Sequence, residues 1–180
     1  MKKSIIVVIL LVIIVAVGVV IYFNVNKEAE PTSGENAVNQ ESSVQETQYK
    51  LEVEGKDMTP SAVFTQETFG EPNQLSEIPS CAFEGTDKVY TYTSYEITTY
   101  KDGDQERIYS VYFIDDQIAT NEGVKLAEDI SAMTNAYGEN YEQVGNQYTY
   151  VSGNVELAFI VENDVITSIT YTLVTDTGKK

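Results

Sequence analysis

The sequence predicts an α+β fold: two tandem helix–three-strand repeats form one antiparallel sheet with helices on one face, preceded by a transmembrane helix. Two observations carry this prediction. The same pattern occurs twice, since copy one, about 55–115, recurs as copy two, about 123–173. Within each copy, apolar residues at helical spacing precede segments that alternate apolar and polar residues with the period of a strand.

The first element is a membrane anchor. Residues 5–23 form an unbroken apolar run, which as a helix is about 28 Å long, close to the ~30 Å hydrocarbon core of a bilayer. Lys2 and Lys3 keep the N-terminus in the cytoplasm and place the rest of the chain outside the cell membrane. Residues 1–23 are therefore predicted to be a cytoplasmic stub and a single-pass anchor in the lipid bilayer. The alternative is a signal peptide whose cleavage releases a secreted protein.

A linker follows the anchor. Residues 24–48 are rich in Glu, Asn, Gln, Ser and Thr and contain no aromatic residue, so we expect a disordered acidic linker. Residues 49–176 are predicted to be the extracytoplasmic tandem-repeat domain, and residues 177–180 a tail. The domain therefore stands close to the outer surface of the membrane.

Each repeat is predicted to begin with a helix. In copy one, Thr59 suits the N-cap, Pro60 suits the first helical position and Gly70 ends the helix. In copy two, Gly138 follows an apolar helical face. That face consists of Leu126, Ile130, Met133 and Tyr137.

Three strands are predicted to follow each helix, because β-branched and aromatic residues alternate with polar ones. They are residues 89–93, 95–101 and 108–114 in copy one and residues 147–152, 155–162 and 165–173 in copy two. One face of these strands is apolar and is expected to pack on the helices. The other face is expected to stay open to solvent, as antiparallel sheets allow.

The open face is the predicted partner-binding surface. It is polar and rich in hydroxyl groups, and Tyr100 and Tyr112 are its candidate anchors because Tyr is favoured in protein interfaces. The candidate partner-binding residues are Tyr100, Tyr112, Thr98, Glu156, Ser168 and Thr170.

The composition excludes several classes of function. The chain carries 11 Lys and Arg against 28 Asp and Glu, a formal net charge of −17, so it lacks the basic face that a nucleic-acid binder requires. It has no His and one Cys, which excludes His/Cys zinc sites, Ser-His-Asp and Cys-His catalysis, and an intramolecular disulfide. We therefore expect no enzyme and no cofactor, although a hydrolase that uses paired carboxylates is compatible with this composition.

Two motifs could carry other chemistry. Residues 102–106, Asp-Gly-Asp-Gln-Glu, superficially resemble a calcium loop but lack EF-hand spacing, so a solvated turn is expected. Cys81 is expected to be a small buried hydrophobe beside Ala82 and Phe83, with a reactive or intermolecular thiol as the alternative.

A helix that ends in Phe/Tyr-Gly, a Tyr-x-Tyr strand and a closing hairpin, used twice, resembles the tandem-repeat fold of β-lactamase-inhibitory proteins. The small lipoproteins of the outer-membrane assembly machinery are similar to a single copy. Residues 123–129 and 136–138 carry most of this likeness. Residues 80–85, Ser-Cys-Ala-Phe-Glu-Gly, also resemble membrane-anchored surface proteins of Gram-positive anaerobes.

This resemblance covers about 55–173 and implies a non-catalytic protein-binding module that uses the open face of its sheet. The inhibitors carry disulfides and are free secreted proteins, so no contact residue and no β-lactamase binding follow from it. The expected partner is another envelope or secreted protein. The alternative function is a cation- or ligand-sensing accessory subunit of an envelope complex.

Overall fold

The computed structural model describes residues 49–175. The strands are β1 Glu52–Val53, β2 Lys56–Asp57, β3 Gln74–Pro79, β4 Thr86–Thr91, β5 Tyr95–Asp102, β6 Gln105–Phe113, β7 Glu142–Val144, β8 Gln147–Ser152, β9 Val155–Glu162 and β10 Val165–Leu173. The helices are α1 Gln66–Phe69 and α2 Ile130–Tyr137. Strands β1 and β2 form a small ribbon, and the other strands form one sheet.

The eight-stranded sheet consists of two antiparallel meanders placed side by side. Its order is β3-β4-β5-β6-β10-β9-β8-β7, so the last strand of each meander lies at the centre. The two central strands pair through Thr170 with Tyr112, Tyr171 with Val111, and Thr172 with Ser110. Each short helix precedes its own meander in the chain.

The predicted α+β class, with helices packed on the sheet, is wrong. Strands hold 48% of the described residues and helices only 9%, and α1 and α2 have four and eight residues. The fold is therefore mostly β. The predicted three strands per repeat are also too few, because each meander has a fourth strand at the sheet edge, β3 or β7.

The predicted helix at Thr59 and Pro60 is absent because their neighbours pair with the sheet instead. Ser61 has a φ of 77°, which turns the chain out of a helical path. The Ser61 amide then donates to the Ile108 carbonyl, and the Ile108 amide donates to the Ala62 carbonyl. Helix α1 starts later, with Thr65 as its N-cap.

The second meander repeats this arrangement. Ala127 has a φ of 65°, and its amide donates to the carbonyl of Ile166 in β10. Helix α2 begins only after Asp129, whose side chain accepts a hydrogen bond from the Ser131 amide. The predicted helical position Leu126 therefore lies outside the helix.

The hydrophobic core lies on one side of the sheet, which we call the inner face. Its fully buried sheet residues include Ile97, Ile108, Phe113, Phe159 and Tyr171. Residues before β3 and before β7 cover this face. They include Leu51, Met58, Phe64, Phe69, Val124 and Met133, all buried in the same cluster.

The predicted anchor at residues 5–23 and the linker at 24–48 lie outside the described residues. Within residues 49–175, neither helix has the length and apolar character needed to cross a membrane.

Candidate functional site

The other side of the sheet, which we call the outer face, carries no covering segment over most of its width. One row of aligned residues crosses four strands, because Thr98 pairs with Ser110, Ser110 with Thr172, and Thr172 with Glu156. Residues paired across strands point to the same side of a sheet. Small hydroxyl side chains therefore form the centre of this face.

The structure brings most of the predicted binding residues together on the outer face. Thr98 and Glu156 lie in the row described above, and Tyr112 pairs with Thr170 in the next row. Ser168 lies two residues before Thr170 in β10, on the same side of the strand. Tyr112 is the most exposed of these side chains, with an exposed fraction of 42%.

Tyr100, the other candidate anchor, lies at a distance from Tyr112, although Thr98 is only two residues away from Tyr100 on the same strand. Glu96 is the β5 partner of Tyr112, and Tyr100 is four residues further along, about 13 Å at the rise of a strand. The Phe83 ring stacks on the Tyr100 ring, with centroids 4.0 Å apart and an interplanar angle of 8°. Burial raises the pKa of Tyr100, and Asp102 adds to the rise while Arg107 opposes it. Tyr100 is thus a packed side chain rather than a free anchor.

Phe83 belongs to a loop that folds onto one end of the outer face. We call residues 80–85 the roof loop. The Ser80 amide donates to the Gly85 carbonyl at 3.0 Å, and the Phe83 amide donates to the Ser80 hydroxyl at 3.0 Å. These bonds fix the loop that copy one has and copy two lacks. The expectation that Cys81 is buried is wrong, because this loop holds its thiol exposed.

A β-bulge in β6 turns an additional tyrosine toward the roof loop. The β5–β6 register passes from Thr99–Ile108 to Thr98–Ser110, which leaves Tyr109 as the extra residue. The Phe83 ring meets the Tyr109 ring edge-on, with centroids 5.5 Å apart. Burial raises the pKa of Tyr109, and electrostatic interaction with Asp87, Cys81 and Glu156 raises it further.

Asp87 lies beneath the same loop. It directly precedes Lys88, which pairs with Thr99 on the inner face, so the strand alternation places Asp87 on the outer face beside Tyr100. Its exposed fraction is only 4%. Asp87, Tyr109 and Tyr100 form an acidic and aromatic corner of the outer face beneath Phe83.

Sequence reasoning missed Phe83, Asp87 and Tyr109 as site residues. One signal was present, since Asp is depleted in strands and Asp87 stands inside a β-forming run. The bulge that re-aims Tyr109 follows from pairing between distant strands and leaves no comparable pattern in the sequence.

Two of the three acids of residues 102–106, Asp102 and Glu106, each pair with a cation of the protein. Arg107 Nε donates to Asp102 Oδ2 at 2.8 Å, at the sheet end. Glu106 turns to the inner face, where Lys88 Nζ lies 3.1 Å from its Oε2. In the described part of the chain, no three acidic or Cys side chains form a group that could hold a metal ion.

No family model, curated protein or solved structure matches this chain. The resemblance to β-lactamase-inhibitory proteins therefore stays a prediction, and the outer face and its roof loop must be interpreted from their own geometry.

Proposed function

We propose that this chain is a membrane-anchored, extracytoplasmic and non-catalytic module that binds another envelope or secreted protein through the outer face of its sheet. The observation that carries this proposal is the large surface of hydroxyl and apolar side chains that no segment among residues 49–175 covers.

The size of the outer face suits a protein partner. The seven strands of six to nine residues, spaced about 4.8 Å apart, are about 29 Å wide and about 20–30 Å long, and the edge strand β7 adds three residues. The product is roughly 600–900 Å², close to the ~800 Å² that each partner buries in a standard interface. A small ligand would prefer a concave cavity.

The chemistry of the face also suits a protein partner. Tyr112 and Val151, with exposed fractions of 42% and 58%, provide apolar area near the centre and toward the β8 side. Short Thr and Ser side chains between them lose little conformational entropy when a partner orders them. Such a mixed surface is typical of interfaces that form between separately folded proteins.

Capture of the partner from detergent-solubilised cell envelope tests this proposal, with the full chain tagged at its C-terminus as bait. Thr170→Arg places a long cation at the centre of the face and is expected to weaken capture at least about 10-fold. Asn135→Arg makes the same charge change on exposed residue 135 of α2, on the opposite side of the sheet, and is expected to retain capture. Equal capture by both variants contradicts the proposed binding face.

The location outside the cell has its own test. Cys81 is the only Cys and is exposed, so a membrane-impermeant maleimide is expected to label the chain in intact cells. Labelling that appears only after the cells are lysed contradicts an extracytoplasmic domain.

A further inference from the structure

The corner beneath the roof loop contains a buried carboxylate that lacks a partner. Asp87 has an exposed fraction of 4%, so it is 96% buried. No group among residues 49–175 donates a hydrogen bond to its side chain. Every described polar side-chain atom that is sealed from solvent makes a hydrogen bond. The Asp87 carboxylate makes none, so its oxygens are still in contact with solvent. A buried, unpaired carboxylate is costly unless a cation or donor joins it.

Three aromatic rings surround the same point. The stacked rings of Phe83 and Tyr100 and the edge-on ring of Tyr109 form its wall. A second carboxylate, Glu156 in β9, lies four strand spacings from Asp87, about 19 Å across the sheet, and acts on this corner only through its long-range charge at Tyr109. Carboxylates beside aromatic faces attract an ammonium or guanidinium group through both ion pairing and cation–π contact. We call Asp87, Tyr109, Phe83 and Tyr100 the acidic–aromatic niche.

The cations near this niche in residues 49–175 do not neutralise it. Lys88 lies on the inner face with Glu106, and Lys101 is opposite Glu106 in the β5–β6 register, on that same face. Arg107, the nearest cation by register, donates to Asp102, to the Ser61 carbonyl and to Gln105 at 2.7–2.8 Å. Strands β7 to β10 contain no Lys or Arg. An external cation is therefore the group that complements this corner.

We infer that the acidic–aromatic niche receives a Lys or Arg side chain of the partner protein, which anchors that partner at the roof-loop end of the outer face. This inference rests on the proposed function and adds the chemical class of the contact. The long, flexible stem of such a side chain can reach beneath Phe83 while the rest of the partner lies on the flat part of the face.

A peptide probe tests the niche on the full chain in detergent. Cys81 carries a bimane fluorophore, and the probe contains one tryptophan and three arginines, since tryptophan quenches bimane by contact and the chain has no Trp. A peptide with glutamine in place of arginine is the control. We expect the arginine peptide to quench the fluorophore and the glutamine peptide not to do so.

Charge-matched variants separate the niche from general attraction to an acidic protein. Asp87→Asn is expected to weaken binding about 10-fold or more, and Phe83→Ala, which removes one aromatic wall, to weaken it in the same direction. Asp116→Asn removes the same charge from exposed residue 116 and is expected to weaken binding less than about two-fold. Thermal unfolding shows whether each variant is folded, and Phe83→Ala decides the test if Asp87→Asn is not.

Three outcomes overturn the inference: no quenching of wild type, equal quenching by the glutamine peptide, or equal losses in Asp87→Asn and Asp116→Asn. The envelope capture distinguishes this failure from failure of the proposed function. If Thr170→Arg loses the partner while Asp87→Asn keeps it, the binding face stands and the niche does not. If both variants keep the partner, the proposed function itself is wrong.

Discussion

Replacing Glu106 with Gln is expected to destabilise the domain, because three side chains share its carboxylate on the inner face. Thr99 donates to it at 2.6 Å, Tyr90 at 2.8 Å and Lys88 at 3.1 Å. Thr99 is 1% exposed and Tyr90 is 4% exposed, so water cannot fully replace the carboxylate. Thr99 and Tyr90 donate to Oε1 and Lys88 donates to Oε2. An amide that keeps its oxygen beside Thr99 and Tyr90 therefore places its NH2 group, itself a donor, against the Lys88 ammonium.

The magnitude follows from these contacts. A hydrogen bond to a charged group contributes about 1.5–3 kcal/mol, and the Lys88 side chain is 32% exposed, so solvent screens its share. We expect Glu106→Gln to lower the free energy of unfolding by about 2 kcal/mol. For a domain of this size, that corresponds to a fall in melting temperature of roughly 6–10 °C. Circular dichroism of the full chain in detergent measures it.

The stability that Glu106 contributes is expected to depend on pH, in a direction that follows from its pKa. Burial alone would raise the pKa of Glu106, but the hydrogen bonds from Thr99, Tyr90 and Lys88 outweigh it and hold the pKa below its ordinary value of 4.5. A carboxyl with a lowered folded pKa contributes stability above its unfolded pKa and loses that stability as the pH falls through the folded pKa. The difference between wild type and Glu106→Gln is therefore expected to be full at neutral pH and to shrink below about pH 4.

The matched control is Glu77→Gln. Glu77 is opposite Lys88 in the β3–β4 register, but it is exposed and its side chain joins no hydrogen bond or ion pair within residues 49–175. Its replacement is expected to cost less than about 0.5 kcal/mol. Equal stability of the two variants, or a Glu106→Gln deficit that stays unchanged at about pH 3, would refute this reasoning.

Three further predictions concern the core and the tyrosines. Ile97→Ala removes a side chain with no exposed area and is expected to lower the free energy of unfolding by about 2–5 kcal/mol in urea unfolding; a loss below about 1 kcal/mol contradicts its place in the core. Tyr137→Phe removes the hydrogen bond donated to Glu122 and is expected to cost about 1–2 kcal/mol, whereas an unchanged thermal midpoint contradicts that contact. Burial raises the pKa of Tyr92 and of Tyr150 to about 12. In an ultraviolet titration, Tyr92→Phe and Tyr150→Phe are each expected to remove a tyrosine that ionises late, at high pH. If each variant instead removes a tyrosine that ionises early, these rings are not buried.

The strands with the clearest alternation were predictable from the sequence. The predicted segments 147–152, 155–162 and 165–173 coincide with β8, β9 and β10, because every second residue faces the core. The edge strands β3 and β7 were missed. All residues of β7 are exposed, and only one residue of β3 is even half-buried. Because neither strand has a buried face, neither shows the alternation of apolar and polar residues that predicts a strand.

The helices were overpredicted for a different physical reason. The segment after Thr59 has acceptable helical residues, but its backbone gains hydrogen bonds from residues more than 40 positions away, at Ile108 and Glu106. Local propensity cannot register such a competitor. The acidic–aromatic niche was hidden in the same way, because the roof loop, β4, β5 and β6 come together only when the first meander has formed.

The narrow seam at the centre of the sheet sets an order for folding. Its paired residues are about 60 positions apart in the chain, whereas each meander is built from hairpins between chain neighbours. Closing a long loop costs more entropy than closing a hairpin. We therefore expect the hairpins to form early and the pairing between β6 and β10 to form last. Until that step, Thr98 on one half and Glu156 on the other remain apart. The outer-face row that contains both residues is therefore expected to exist only once the two meanders have joined.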